Sequence, residues 1–216
     1  HGVIAVVTIA LLGVLLSVSA HGAVFTVNTP SDGFFGAFDA NPGDGVCETG
    51  PGNGICALRA AIQETNALAG DDTIILPPNT YPLSTNLDGA LIIAGNLTIT
   101  GGGASTTTIA GAIESDVLVI NGGSAVNLSG VTIIGAGLAG SGISNAGTLT
   151  LSDSTVSRGS RGGINNNGTL MLINSTVSGN SNLGGIFNGG KAMLINSTVS
   201  GNLSGTGGGI RNSGTL

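Results

Sequence analysis

Residues 143–157 read ISNAGTLTLSDSTVS, residues 164–178 read INNNGTLMLINSTVS, and residues 186–200 read IFNGGKAMLINSTVS. A further copy, IRNSGTL, opens at Ile210, and a more divergent one, INGGSAVNLSGVTI, opens at Ile120. The copies start 23, 21, 22 and 24 residues apart. From the leading Ile to the closing Ile133, Val156, Val177 or Val199 the distance is always 13, whereas the stretch from there to the next Ile is 10, 8, 9 or 11. A fixed half therefore alternates with a half of variable length, which is the signature of a solenoid. In the fixed half apolar and polar residues alternate, as in Leu149-Thr150-Leu151 and Thr176-Val177-Ser178. Period 2 with β-branched residues indicates strands. Runs this short, separated by Asn, Ser and Gly, describe the coils of a parallel β-helix whose strands stack about 4.8 Å apart.

Stacking places equivalent residues above one another. Four inward columns are expected: Ile143, Ile164, Ile186 and Ile210; Leu149, Leu170 and Ala192; Leu151, Leu172 and Leu194; and Val156, Val177 and Val199. Asp153, Asn174 and Asn196 fall at the bend between strands and are expected to form a side-chain ladder there. Outward, Thr155, Thr176 and Thr198 stack, beside Ser157, Ser178 and Ser200. So do Met171 over Met193 and Ile173 over Ile195, an apolar ladder on an exposed face. The variable halves should bulge at one edge of the stack, with Arg158 and Arg161 as the charges of that edge.

Working towards the N-terminus, the division reads as a leader over 1–20, a cap over 21–70 and the β-helix over 71–216. Residues 3–20 form an uncharged apolar run with Val18 and Ala20 placed for cleavage before His21, and Ala23 as a second candidate. That is the pattern of a secretory signal peptide; a membrane anchor is the competing reading of the same run. The chain opens on His1 rather than Met and stops in mid-strand at Leu216, so both ends are expected to be truncated. Residues 56–68 are expected to be a helix, with Leu58, Ala61, Ile62 and Thr65 on one stripe, covering the open first coil. In an exported chain, Cys47 and Cys56, the two cysteines, are expected to be bridged, and no zinc set or activated thiol is legible around them. Asp32, Asp39, Asp44 and Glu48 crowd one loop-rich stretch; calcium is conceivable there, but the spacing fits no calcium loop, and a solvated loop is the expectation.

The string Cys56-Ala57-Leu58-Arg59-Ala60-Ala61-Ile62, followed by residues 64–67 (ETNA) and 72–77 (DTIILP), resembles the CSLREA domain, with Ala57 and Ala60 standing where that family has Ser and Glu. Residues 101–109, GGGASTTTI, and the later repeats resemble those of polymorphic outer-membrane proteins. The resemblance spans nearly the whole chain after the leader. It implies export and a right-handed parallel β-helix, and no single activity.

Composition narrows the function further. Lys and Arg number five against eleven acids, a net charge of −6, so a nucleic-acid groove is not expected. Glycoside cleavage needs two carboxyl groups at a set separation. From residue 117 onwards the only acid is Asp153, and nothing visible completes a site with Glu114 and Asp116. The reading that follows is a secreted or cell-surface (outer-membrane) scaffold, adhesin-like or stalk-like, without a catalytic site in these residues and with no cofactor. Its partner would be a glycan or a host or cell-surface protein, and it would meet a membrane only through an anchor outside this sequence. A carbohydrate-active β-helix enzyme of the pectate-lyase kind, with its site in other coils, is the alternative. The Thr-x-Ser array suggests a third, an ice-binding solenoid.

Overall fold

In a computed structural model, the chain is described over residues 22–32, 37–84, 89–112, 114–135, 137 and 139–216. The apolar run of residues 3–20 and the first cleavage position, before His21, lie outside these residues, as do parts of the 134–142 loop.

The repeat fixes three strands per coil. Thr148–Ser152, Thr155–Ser157 and Ile164–Asn166 make one turn, and Thr169–Ile173 begins the next. Equivalent strands pair in parallel, so three sheets run the length of a β-solenoid of about six turns. The first sheet has seven strands, Val24–Thr26, Asp71–Leu76, Asn96–Gly101, Ala125–Ser129, Thr148–Ser152, Thr169–Ile173 and Lys191–Ile195. The second has six, from Leu91–Ile93 to Ile210–Asn212, and the third six, from Thr80–Pro82 to Thr198–Ser200. The register is as the repeat requires: Ile143 pairs Ile164 and Ile164 pairs Ile186, while Leu149 pairs Leu170 and Val156 pairs Val177. All of these are buried, and they close one continuous core with Ile74, Ile99, Leu128 and Ile133. Each fully buried Leu, Ile or Val contributes roughly 1.5–3 kcal/mol.

Asp153, Asn174 and Asn196 do occupy the corner between the first and third sheets, each with φ of 48–49°. Asn and Asp tolerate that left-handed conformation better than other side chains, which is why they recur there. Their expected ladder is largely absent. All three are exposed, and they are linked by a single bond, Asn174 Nδ2 donating to Asp153 Oδ1 at 3.3 Å.

The polar ladders lie one step inward. Asn145 Nδ2 donates to Asn166 Oδ1 at 2.7 Å, Asn166 to Asn188 at 2.7 Å, and Asn188 to Asn212 at 2.6 Å. The same Nδ2 atoms also donate to the carbonyls of Thr169, Lys191 and Thr215, so each amide is satisfied along the stack. Ser154 and Ser175 stack at the next corner, where the backbone N–H of Ser154 donates to Ser175 Oγ at 3.2 Å and that of Ser175 to Ser197 Oγ at 3.2 Å. At the third corner Asn180 Nδ2 donates to Asn202 Oδ1 at 2.9 Å. Buried turn backbone needs such partners, because leaving it unpaired costs about 1–3 kcal/mol per group.

The first coil is covered from two sides. The helix spans Leu58–Ala67 rather than 56–68, and it packs on Asp71–Leu76 and Leu91–Ile93. Asn66 completes the cover chemically: its Nδ2 donates to the Ile92 carbonyl and its Oδ1 accepts from the Ala94 N–H, both at 2.8 Å. An otherwise open strand edge is thereby paired by a side chain. Strand Val24–Thr26 adds itself to the first sheet beside Asp71–Leu76.

Candidate binding surfaces and the cap

The outer face of the first sheet carries three columns of side chains. From Asp71–Leu76 to Lys191–Ile195 they run from Asp71 to Lys191, from Thr73 to Met193 and from Ile75 to Ile195, and Val24 and Thr26 continue the last two beyond Thr73 and Ile75. Between them stand Thr98, Asn127 and Thr150 in the middle column, and Thr100, Ser129 and Ser152 beside it. Asp71 and Lys191 are the only charges in this array, and they lie at opposite ends of one column. The expected apolar ladder is present. Met171 and Ile173 are half-buried by their neighbours, and Met193 and Ile195 are 54% and 40% exposed.

The third sheet extends the threonine column beyond the three predicted members. Thr80, Thr108, Thr132, Thr155, Thr176 and Thr198 are successive register partners. Thr80 and Thr108 precede the regular repeat, whereas Thr132 stands in the divergent copy that opens at Ile120, at the same offset as Thr155. Thr132 Oγ1 donates to the Ala104 carbonyl at 2.6 Å, so the column is not uniformly free.

On the second sheet Arg211 lies 5.4 Å over the ring of Phe187, a cation–π pair on the outer surface.

The variable loops do line one edge, but they are stacked rather than free. The Arg161 N–H donates to Gly140, Ser181 to Gly159, and Leu203 to Asn180. Arg158 and Arg161 are both exposed on the same loop, Arg158 at φ 59°. Of the acids considered for catalysis, Asp153 is exposed at its corner and Asp116 Oδ1 accepts from the Ser141 N–H at 2.7 Å.

The cap departs from the solvated loop that was expected. Asp32 and Asp39 are both buried. Asp32 forms a two-pronged pair with the buried Arg59, Nε to Oδ1 at 2.8 Å and Nη2 to Oδ2 at 2.7 Å. Arg59 also donates to the carbonyls of Gly89 and Ala90, and Asp32 accepts from the Ser84 N–H. One charged cluster thus ties the 22–32 segment to the helix and to the first coil.

Glu64 accepts from the N–H groups of Gly43 and Gly45. Burial pushes its carboxyl above the usual range and Asp39 adds to that, while the two N–H groups pull it down. Cys47 and Cys56 form the expected disulfide, closing the loop that follows the segment these bonds hold. Ala57 and Ala60 pack with Ala37 in a small buried cluster.

Sequence reasoning missed the Arg59–Asp32 pair because its partners lie 27 residues apart with no repeat to align them. Among the described residues no group of three or more His, Cys, Asp or Glu is placed to hold a metal ion, and no helix is long and apolar enough to cross a membrane.

Searches against family models, curated proteins and solved structures found no match.

Proposed function

We propose that this chain is an exported scaffold of the cell surface or the secreted fraction, a stalk or adhesin-like β-solenoid that binds through its side rather than its core. The observation that carries the reading is the outer face of the first sheet. Six of its successive strands span roughly 24 Å by 16 Å. The face is almost free of charge, and it exposes Met193 and Ile195 beside threonine and serine. Exposed apolar side chains in register on a stiff sheet favour contact with another macromolecular surface. The disulfide fits an oxidising compartment, and so do the CSLREA-like string and the outer-membrane-type repeats. A protein surface suits the Met and Ile ladder, whereas an anionic glycan would suit the loop edge at Arg158 and Arg161.

The test is binding of the purified protein to a glycan array and to intact cell surfaces, repeated with Met193→Asp plus Ile195→Asp and with Arg158→Ala plus Arg161→Ala. Loss of cell-surface binding in the first variant alone supports the sheet face. Glycan binding lost in the second alone moves the site to the loop edge. Absence of binding to either panel sinks the adhesin reading.

A further inference from the structure

Every inward position of the first sheet at one level is apolar except one. Leu97, Val126, Leu149, Leu170 and Ala192 continue a column that Asp72 heads. Asp72 is 1% exposed. Its Oδ1 accepts from the backbone nitrogen of Ala23 at 2.7 Å, and its Oδ2 is buried without a hydrogen-bond partner. The one salt bridge recorded among the described residues is Arg59–Asp32, so no side chain balances this carboxylate. A buried carboxylate without a cation is costly, and the natural remedy is a cation.

We propose that the cation is the α-ammonium group of Ala23, released by cleavage of the Gly22–Ala23 peptide bond. This rests on the export reading above. Water adds across the bond, Gly22 leaves with a new carboxylate, and Ala23 keeps the nitrogen, protonated at neutral pH. An export peptidase of the kind that removes leader peptides performs the hydrolysis before the chain folds.

Two observations converge on this bond. Ala20 and Gly22 place small residues at the third and first positions before it, the pattern such peptidases read. Among the described residues backbone pairing begins at Ala23, whose carbonyl accepts from the Thr73 N–H at 2.8 Å. An amide nitrogen offers Asp72 one proton. An ammonium offers three and a full charge, enough to engage Oδ2 as well.

Two measurements decide the matter. The full chain is exported from a secretion-competent host, and its first residue is read by intact mass and N-terminal sequencing. Ala23 is expected. A chain beginning at His21 overturns this inference and leaves the export reading standing, whereas an unprocessed chain overturns both. Separately, chains beginning at Ala23 are compared with a free and an acetylated α-amino group, in the native background and with Asp72→Asn. The free amine should raise the melting temperature by roughly 3 °C or more with Asp72 present, and by nothing measurable with Asp72→Asn. Equal melting of the free and acetylated chains with Asp72 present overturns the ion pair, whatever the export experiment shows.

Discussion

The cap and the coils are held together by different chemistry. From residue 120 onwards the interior is built of neutral columns: apolar residues in the lumen, asparagine and serine at the corners. Each inward side chain meets its register equivalent one strand spacing away, in the later coils usually the same residue. In the cap nothing repeats. Arg59–Asp32, Glu64 on two glycine N–H groups, and Cys47–Cys56 are single connections with no equivalent elsewhere in the described residues. A periodic stack spreads its stability over equivalent contacts, so a local defect harms the neighbouring coils. A cap built from singular charged links concentrates its stability in a few atoms.

The sharpest break in the coils should come from a charge in the lumen. Val177→Asp is expected to cost about 5 kcal/mol, since Val177 is fully buried and nothing there can pair a carboxylate. Thr176→Asp, one residue away and outward, should cost about 1 kcal/mol or less. Denaturant titration of both variants compares them directly; equal damage would mean that the inside–outside register is wrong.

In the cap the corresponding break is Asp32→Ala, which strands the buried Arg59 charge and should cost about 3–4 kcal/mol. Limited proteolysis should then cut first within residues 22–57, leaving the coils intact. Cleavage spread evenly through the coils would show that cap and stack melt as one unit.

Reducing Cys47–Cys56 acts on the same region more gently. Loop-closure entropy puts its contribution at about 2–3 kcal/mol. The free energy of unfolding from denaturant titration should fall by that amount on replacing both cysteines with serine, and an unchanged value would make the bridge a bystander.

The smallest effect concerns Glu64. Its folded-state carboxyl holds the proton more tightly than the ordinary value of 4.5, mainly through burial. The folded state is therefore favoured while Glu64 is protonated. That contribution is lost as pH rises from the unfolded value through the raised folded one. Glu64→Gln removes this titration, so its melting temperature relative to the native protein should climb with pH across that window. A constant difference from pH 4 to 7 would exclude the effect.

How much of this was legible follows from the same contrast. The parallel coils, the inward columns and the apolar ladder were readable because the repeat aligns residues that stack, and the disulfide because the chain has two cysteines. The corner ladder was placed on Asn174 when it belongs to Ser175 beside it, and the buried ladder through Asn145, Asn166 and Asn188 was missed. Its signal was present as an Asn two residues after Ile143, Ile164, Ile186 and Ile210. Period-2 alternation assigns that Asn to the inside, where a polar residue looks wrong until its partners in the next coil are known. The cap charges had no such signal. Asp32 looked like any loop acid, and only the fold brings Arg59 to it.

The central claim is that neutral buried ladders, not exposed corner residues, bind one coil to the next. Hydrogen exchange of the asparagine side-chain NH2 groups, followed by NMR, tests it most directly. Asn166 and Asn188, which are buried and bonded to the next coil, should exchange only with unfolding of the stack, while Asn174 and Asn196 should exchange within the dead time. Rapid exchange of Asn166, or strong protection of Asn174 in its place, would contradict the account.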